Sequence, residues 1–401
     1  MIQHAVQFFF TITFDHYFSF FVSLQVMTHT NGVSFRVKLR SDHIIIKANS
    51  HHGSLIWNMA TFLFNTKDFG NKAGVADSLQ LDNNINLWQY MIFAQADLRL
   101  PHGFIITAGV SFNRSSVEFI NLLSRPSKTQ KRTFENKLPP HIAVLKKITK
   151  DISVYASMAR GFSPPTVSEM LRSDGLFGTN LQPQDGIDYE AGFRGSLLKG
   201  KLYFDINGFL FRLKNTIGQR IDTSGIFYYV NAGSTKQNGI EYFLSYDLAG
   251  KPDRFISSAR VWISHALHDF HYKSFKQVNN DFSGKRLPGV PEHTIITGFD
   301  VVTKPGIYLN FTYNYSDPIY LNDVNSDHAT SFNLIGFRLG YRKSLKKFGM
   351  EFFTGAENLT DTRYSLGNDI NAAAGRYYNT APGRSYYAGV SLQWIKRPKT
   401  E

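Results

Sequence analysis

Three adjacent residues near the C-terminus, Arg376, Tyr377 and Tyr378 in NAAAGRYYNTAPGR, carry the side chains needed to hold an anionic, aromatic ligand. The guanidinium offers charge-assisted hydrogen bonds and the rings offer stacking. The same trio fits an aromatic girdle at a membrane edge or loop-on-loop packing, and on residue types alone that structural role is the commoner one. Arg172, in the loop after GFSPPT, is a further cation of the same kind. His265, His268, Asp269 and His271 in SHALHDFHY are metal-ligand types. They leave a strand and enter a loop, so their spacing sets no convergence, and a closed metal site needs converging ligands. SHHG (50–53) reads as a turn. Ser, His, Asp and Asn are all present, but no pair has a spacing that defines a hydrolytic triad. The chain therefore reads as a non-enzyme with no resident cofactor or metal.

The elements that must position these residues are strands. Phe (35) and Tyr (20) dominate a composition that is 15% aromatic and 42% hydrophobic over 401 residues. Aromatics favour strands and also form the girdles of membrane barrels. With no Cys there is no disulfide framework and no thiolate site. The net charge of +13 is spread through connections such as RPSKTQKR, RKSLKK and IKRPKTE. It forms no single basic helix or aromatic-interleaved platform, so solvated turns are favoured over nucleic-acid binding.

Alternation with period two recurs along the chain. In SYYAGVSLQW, Tyr386, Ala388, Val390, Leu392 and Trp394 share one face, and Ser385, Tyr387, Gly389, Ser391 and Gln393 the other. GIYLNFTYNY sets Ile307, Leu309, Phe311 and Tyr313 against Asn310, Thr312 and Asn314. QYMIFAQADLRL, DISVYASMAR and GIEYFLSYDL behave alike. Tight turns at 148–151, 197–200, 249–253, 303–306 and 344–347 alternate with long segments at 161–184, 217–235, 268–290, 316–330 and 358–383. A soluble sandwich has no reason to place its long loops at one end. An outer-membrane barrel does, with short periplasmic turns and long extracellular loops. The pattern predicts an all-β fold, an antiparallel transmembrane β-barrel of about 16 strands, complete or incomplete.

No run of apolar residues is long enough for a transmembrane helix. Asp15 and His16 interrupt the nearest candidate, Ala5–Met27, which also lacks the basic start of a signal peptide because the first Arg is Arg36. The expected organisation is 1–84 as poorly matching N-terminal strands and 85–401 as the barrel.

Five segments in order resemble the TonB-dependent outer-membrane receptors, most closely those for ferric siderophores. They are SVYASMARGFSPPTVSEM (153–170), NLQPQDGIDYEAGFRG (180–195), NAGSTKQNGIEY (231–242), LPGVPEH (287–293) and ENLTDTRY (357–364) with the C-terminal strand. Gln184 stands where that family usually has Glu. The resemblance implies an outer-membrane receptor that binds a ferric siderophore or similar chelate on extracellular loops. It implies lipid and lipopolysaccharide around the barrel, and energy supplied by the inner-membrane TonB complex acting on a plug domain. No plug domain and no TonB box are recognised in this sequence. The chain is thus expected to be a truncated receptor, the alternative being a structural or passive pore.

Overall fold

The structure, a computed structural model, describes residues 27–394 apart from positions 31, 32, 49, 50, 74, 136, 137, 223, 251–253, 278, 279, 346 and 347. The N-terminal apolar stretch, save Met27, lies outside the described residues, and so does Ser50; His51, His52 and Gly53, read from sequence as part of a turn, instead begin a strand, because they pair with Ala48, Lys47 and Ile46. Two units are distinguished: Met1–Lys146 with Ala156–Tyr189 and Arg212–Ser234, and Lys147–Tyr155 with Glu190–Phe211 and Thr235–Glu401. Among the described residues seventeen strands contribute to the main sheet. No described helix is long and apolar enough to cross a membrane, a statement that does not bear on crossing by strands.

In the first unit, the strands Val33–Ala48, His51–Lys72, Val75–Leu100 and Phe104–Asn121 pair antiparallel in sequence order. The last of these then pairs with Lys128–Glu135 along one half and Pro140–Lys147 along the other. His51–Lys72 and Val75–Leu100 run for 22 and 26 residues, whereas about 10 tilted residues suffice to cross a bilayer. The surplus length supports a protein-like core. Ile85, Val117, Phe119, Phe134, Met170 and Leu181 are buried together. Met170 arrives on a single helical turn, Val167–Met170, inside the long 164–183 connection. Thr166 caps it by accepting from the Glu169 amide, and the Glu169 carboxylate accepts from the Thr166 amide in return. That reciprocal box lets so short a helix form where propensity alone would not. Burying the Met170 side chain contributes about 1.5–3 kcal/mol.

In the second unit, Ile256–Ser274, His293–Thr303, Ile307–Ser316, Phe332–Ser344, Phe348–Glu357 and Ser385–Trp394 form one antiparallel run. Ile307, Phe311, Leu339, Phe352, Val390 and Leu392 share one face and are all exposed. A contiguous apolar face of this kind is a liability in water and the natural contact surface in hydrocarbon. The other face is polar. Arg260, Asp300, Asn310, Arg338, Gly355 and Tyr387 stand in a single cross-strand row over its six strands. Trp262 Nε1 and Asn310 Nδ2 both donate to Asp300, at 2.9 and 2.6 Å. Arg338 donates to Glu351 at 2.8 Å and to the Tyr308 hydroxyl at 3.0 Å. Period two thus yields an apolar and a hydrogen-bonded face from the same strands. The connections follow the expected alternation. Those at 275–292, 317–331 and 358–384 are long, and the ones between them are short.

Candidate ligand site at the loop end

Three long connections of the second unit are knit into one layer by short polar side chains. Asn358, buried and at φ 49°, donates to the carbonyls of Thr362 (2.9 Å) and Pro382 (3.4 Å) and accepts from the Thr362 amide (2.8 Å). It thereby closes the base of the 358–384 loop. The Asp361 carboxylate accepts from the Arg384 amide at 2.9 Å and closes it again. Asn325 exchanges two hydrogen bonds with the backbone of Arg286. The Gly289 amide donates to the Tyr320 carbonyl, and the His293 amide to Asp317 at 2.9 Å. Tyr272 donates to Asp323 at 2.6 Å, and the Asp323 amide to Asn371 at 3.0 Å. Buried loop backbone needs such partners, and Asn and Asp are the side chains that supply them at turns.

Between these loops lies a cavity of about 900 Å³, within the usual range for small-molecule sites. Its carboxylates are committed to the walls. Asp361 accepts from the Arg384 backbone amide, and Asp317 accepts from both the His293 amide and the Tyr315 hydroxyl (2.7 Å). Arg363 also lines the cavity and is exposed, and among the described residues no carboxylate pairs with it. Tyr364 lies beside it with its ring 5.0 Å from that of Phe332. The lining thus offers one guanidinium that no described carboxylate holds, together with aromatic faces, beside two carboxylates that keep their charge. The guanidinium and the rings suit an anionic, aromatic group of a ligand.

Of the residues predicted from sequence, Tyr378 lines this cavity and is 61% exposed. Tyr377 does not line it. Its hydroxyl donates to Asp327 at 3.2 Å, which ties two loops together. Arg376 is exposed at the adjoining turn. Arg172 belongs to the other unit, where Asp174 holds its guanidinium at 2.8 Å and Tyr228 lies under it at 5.7 Å. Arg363 and Tyr364 were not singled out by sequence. The signal was an Arg-Tyr doublet at 363–364 that recurs at 376–377, both within the last long loop.

The histidine-rich segment does not converge. His265 meets His293 across the sheet, Nε2 to Nδ1 at 2.9 Å, while His268 faces the Pro291 carbonyl and His271 pairs with Asp269. Among the described residues no three His, Cys, Asp or Glu side chains are arranged around a metal position. The side chains of His51 and His52 lie outside what the structure describes.

Two of the family-like segments fasten loops through a single Asn each. Asn358 belongs to ENLTDTRY. Asn231, of NAGSTKQNGIEY, donates to the carbonyls of Gln182 and Asn215 and accepts from the Gln182 amide at 2.7 Å. It thereby joins two loops of the first unit.

Comparison with known proteins agrees with this architecture. The model of the family described as TonB dependent receptor-like, beta-barrel matches residues 4–359. The metal-pseudopaline receptor CntO of Pseudomonas aeruginosa is 24% identical over 260 residues, which is 65% of this chain and 31% of that receptor. Among solved structures, the ferric citrate transporter FecA superposes with a TM-score of 0.72 at 16% identity, covering 92% of this chain and 57% of FecA. The copper transporter OprC gives 0.71 at 13% identity, covering 93% and 58%. The ferric yersiniabactin uptake receptor FyuA of Yersinia pestis gives 0.61 at 16%, covering 92% and 56%. At these identities the superpositions establish the fold alone. The chain spans less than two thirds of the length of each.

Proposed function

The chain belongs to the TonB-dependent receptor-like β-barrel family, and from that premise we propose that it serves an outer-membrane receptor for a ferric siderophore or a similar anionic metal chelate. The observation that carries this reading is the loop cavity, where Arg363, with no carboxylate partner among the described residues, lines the wall together with Tyr364 and Tyr378, while Asp317 and Asp361 accept hydrogen bonds from the loop backbone. Ferric chelates of catecholate or carboxylate type are anionic and planar or ring-bearing. They would meet the Arg363 guanidinium through charge-assisted hydrogen bonds and the tyrosines through stacking. Arg376 and Tyr377 form the second Arg-Tyr doublet of the same loop and would take part as rim residues. Arg172 would offer a further contact in the other unit once a ligand carboxylate displaced Asp174. CntO, FecA and FyuA are named for metal or ferric chelates, which supports the same class. Energised uptake through TonB is part of this proposal for the whole protein.

The test is a binding titration of the full chain, folded in detergent, with ferric citrate and a ferric catecholate, each against its iron-free form. Loss of one charge-assisted hydrogen bond in Arg363→Gln should weaken ferric-chelate binding about tenfold or more. Tyr378→Ala should weaken the catecholate more than the citrate. Unchanged affinity in both variants would remove the cavity as the site.

A further inference from the structure

We infer that the turn end of the second unit holds a binding site for the phosphodiester headgroup of an anionic phospholipid. A cleft of about 430 Å³ lies between the 198–201 turn and the residues Asp247, Leu248, Gly250 and Arg254, and Lys199, Lys201 and Arg254 are the cations that line it. All three are exposed, and among the described residues none has a carboxylate partner. The carboxylate that also lines the cleft, Asp247, accepts from Arg260 Nε at 2.7 Å. Its charge is therefore already answered, and the cleft keeps an excess of positive charge. The turn itself presents those cations. Leu198, Lys199 and Gly200 follow one another with φ of 53°, 59° and 86°, a run of left-handed residues that turns the chain back in a tight hairpin.

What separates this cleft from a site for a small soluble anion is its apolar border. Leu248 (52% exposed) lines it, and Leu198 (61%) and Phe255 (68%) are the chain neighbours of the lining residues Lys199 and Arg254. Large apolar side chains beside unpaired cations match the boundary of a bilayer, where acyl chains meet phosphates and Lys and Arg reach toward the headgroups. The remaining short connections of this unit and their strand ends add Lys147, Lys150, Lys304 and Lys343 against Asp151, so the turn end is basic on balance. The long loops of the unit and the strand end before them instead mix both signs, with Asp269, Glu292, Asp327 and Asp369 beside Lys273, Lys285, Arg286 and Arg376. The inference rests on the membrane-spanning reading of the family and is independent of which chelate the loops bind.

The experiment is native mass spectrometry of the full chain, delipidated in a nonionic detergent and titrated with phosphatidylglycerol or phosphatidylcholine of matched acyl chains. Inorganic phosphate in large excess serves as competitor. Wild type should retain phosphatidylglycerol in preference to phosphatidylcholine, and inorganic phosphate should fail to displace it. At roughly fivefold in apparent affinity per basic residue, Lys199→Gln/Lys201→Gln/Arg254→Gln should weaken phosphatidylglycerol retention about a hundredfold. Lys285→Gln, at the loop end, should leave it unchanged. Equal retention of the two lipids by wild type, displacement by inorganic phosphate, or an undiminished preference in the triple variant would each overturn the site. Should the triple variant fail to fold, the wild-type lipid comparison and Arg254→Gln alone, expected to lose about fivefold, decide the matter.

Discussion

Tyr308 lies across the ladder from Gly340, and its ring occupies the space where a Cβ on that glycine would sit, 2.4 Å from the nearest ring atom. The same fit recurs on the polar face with Trp262 over Gly298, Phe353 over Gly389 and Tyr387 over Gly355. The glycine lets the ring lie down, and the lowered ring brings the Tyr308 hydroxyl to Glu351 and Arg338. Gly340→Ala should therefore cost about 1–3 kcal/mol by forcing the ring off its rotamer. Denaturant unfolding in detergent would measure it. Tyr308→Ala in the same background should recover part of the loss, because the clash is gone, and the two substitutions should be non-additive.

The facing of the C-terminal strand can be tested by charge insertion. Val390 is near the middle of Ser385–Trp394 on the exposed apolar face, and Leu392 is nearer its end. Val390→Arg should cost about 2–4 kcal/mol in a bilayer, and Leu392→Arg less, because the penalty falls toward the interface. Ser391→Arg puts the charge on the other face, opposite Glu351, and should cost little. Folding efficiency into vesicles reads all three. Equal penalties at Val390 and Ser391 would invert the assignment.

Asn358→Ala removes three hydrogen bonds from a buried position and places alanine at φ 49°. A cost of about 1–3 kcal/mol is expected. The loss should localise to 358–384, so hydrogen exchange there should rise well before the strands lose protection. Protection unchanged across that loop would show that Asn358 is not its fastener.

Asp174 provides a pH test outside the membrane. Burial pushes its carboxyl upward, but the Arg172 hydrogen bond and the Leu176 amide outweigh that and hold it below the usual aspartate range. A depressed carboxylate stabilises the fold above its unfolded pKa, and the contribution is lost as pH falls through the folded value. Exchange protection of residues 172–177 should thus hold from neutral pH down to about 4 and decline below it. Asp174→Asn should abolish that dependence. The pair is partly exposed, so the effect should stay local.

Strand identity, strand facing and the alternation of turn and loop were legible because each rests on a local pattern. SYYAGVSLQW and GIYLNFTYNY show their two faces in ten residues. The loop chemistry was less so. Asn358 and Asn231 were visible only as parts of familiar motifs, since their work is to join carbonyls 24 and 49 positions away. Tyr308 sits in an aromatic-rich run, and only Gly340 and Glu351, on other strands, explain why it belongs to the polar face. Arg363 became a candidate because Asp361, two residues before it, turns to the Arg384 backbone amide and does not pair with the Arg363 guanidinium. The capping signature Thr166-Val-Ser-Glu169 is local and could have been read from the sequence.

The two very long strands bear on how the protein assembles. His51–Lys72 and Val75–Leu100 are joined by two residues and stay in register from Asp68–Leu81 to His51–Leu98, with irregular pairing confined to the tip. Every rung can therefore close from its neighbour without a long loop search, as in a zipper of low contact order. Hairpins of this kind form in microseconds, far ahead of pairings between distant segments. Once closed, it presents a straight edge on which Phe104–Asn121 can register over eighteen residues. The hairpin is thus placed to act as the nucleus from which strand addition proceeds.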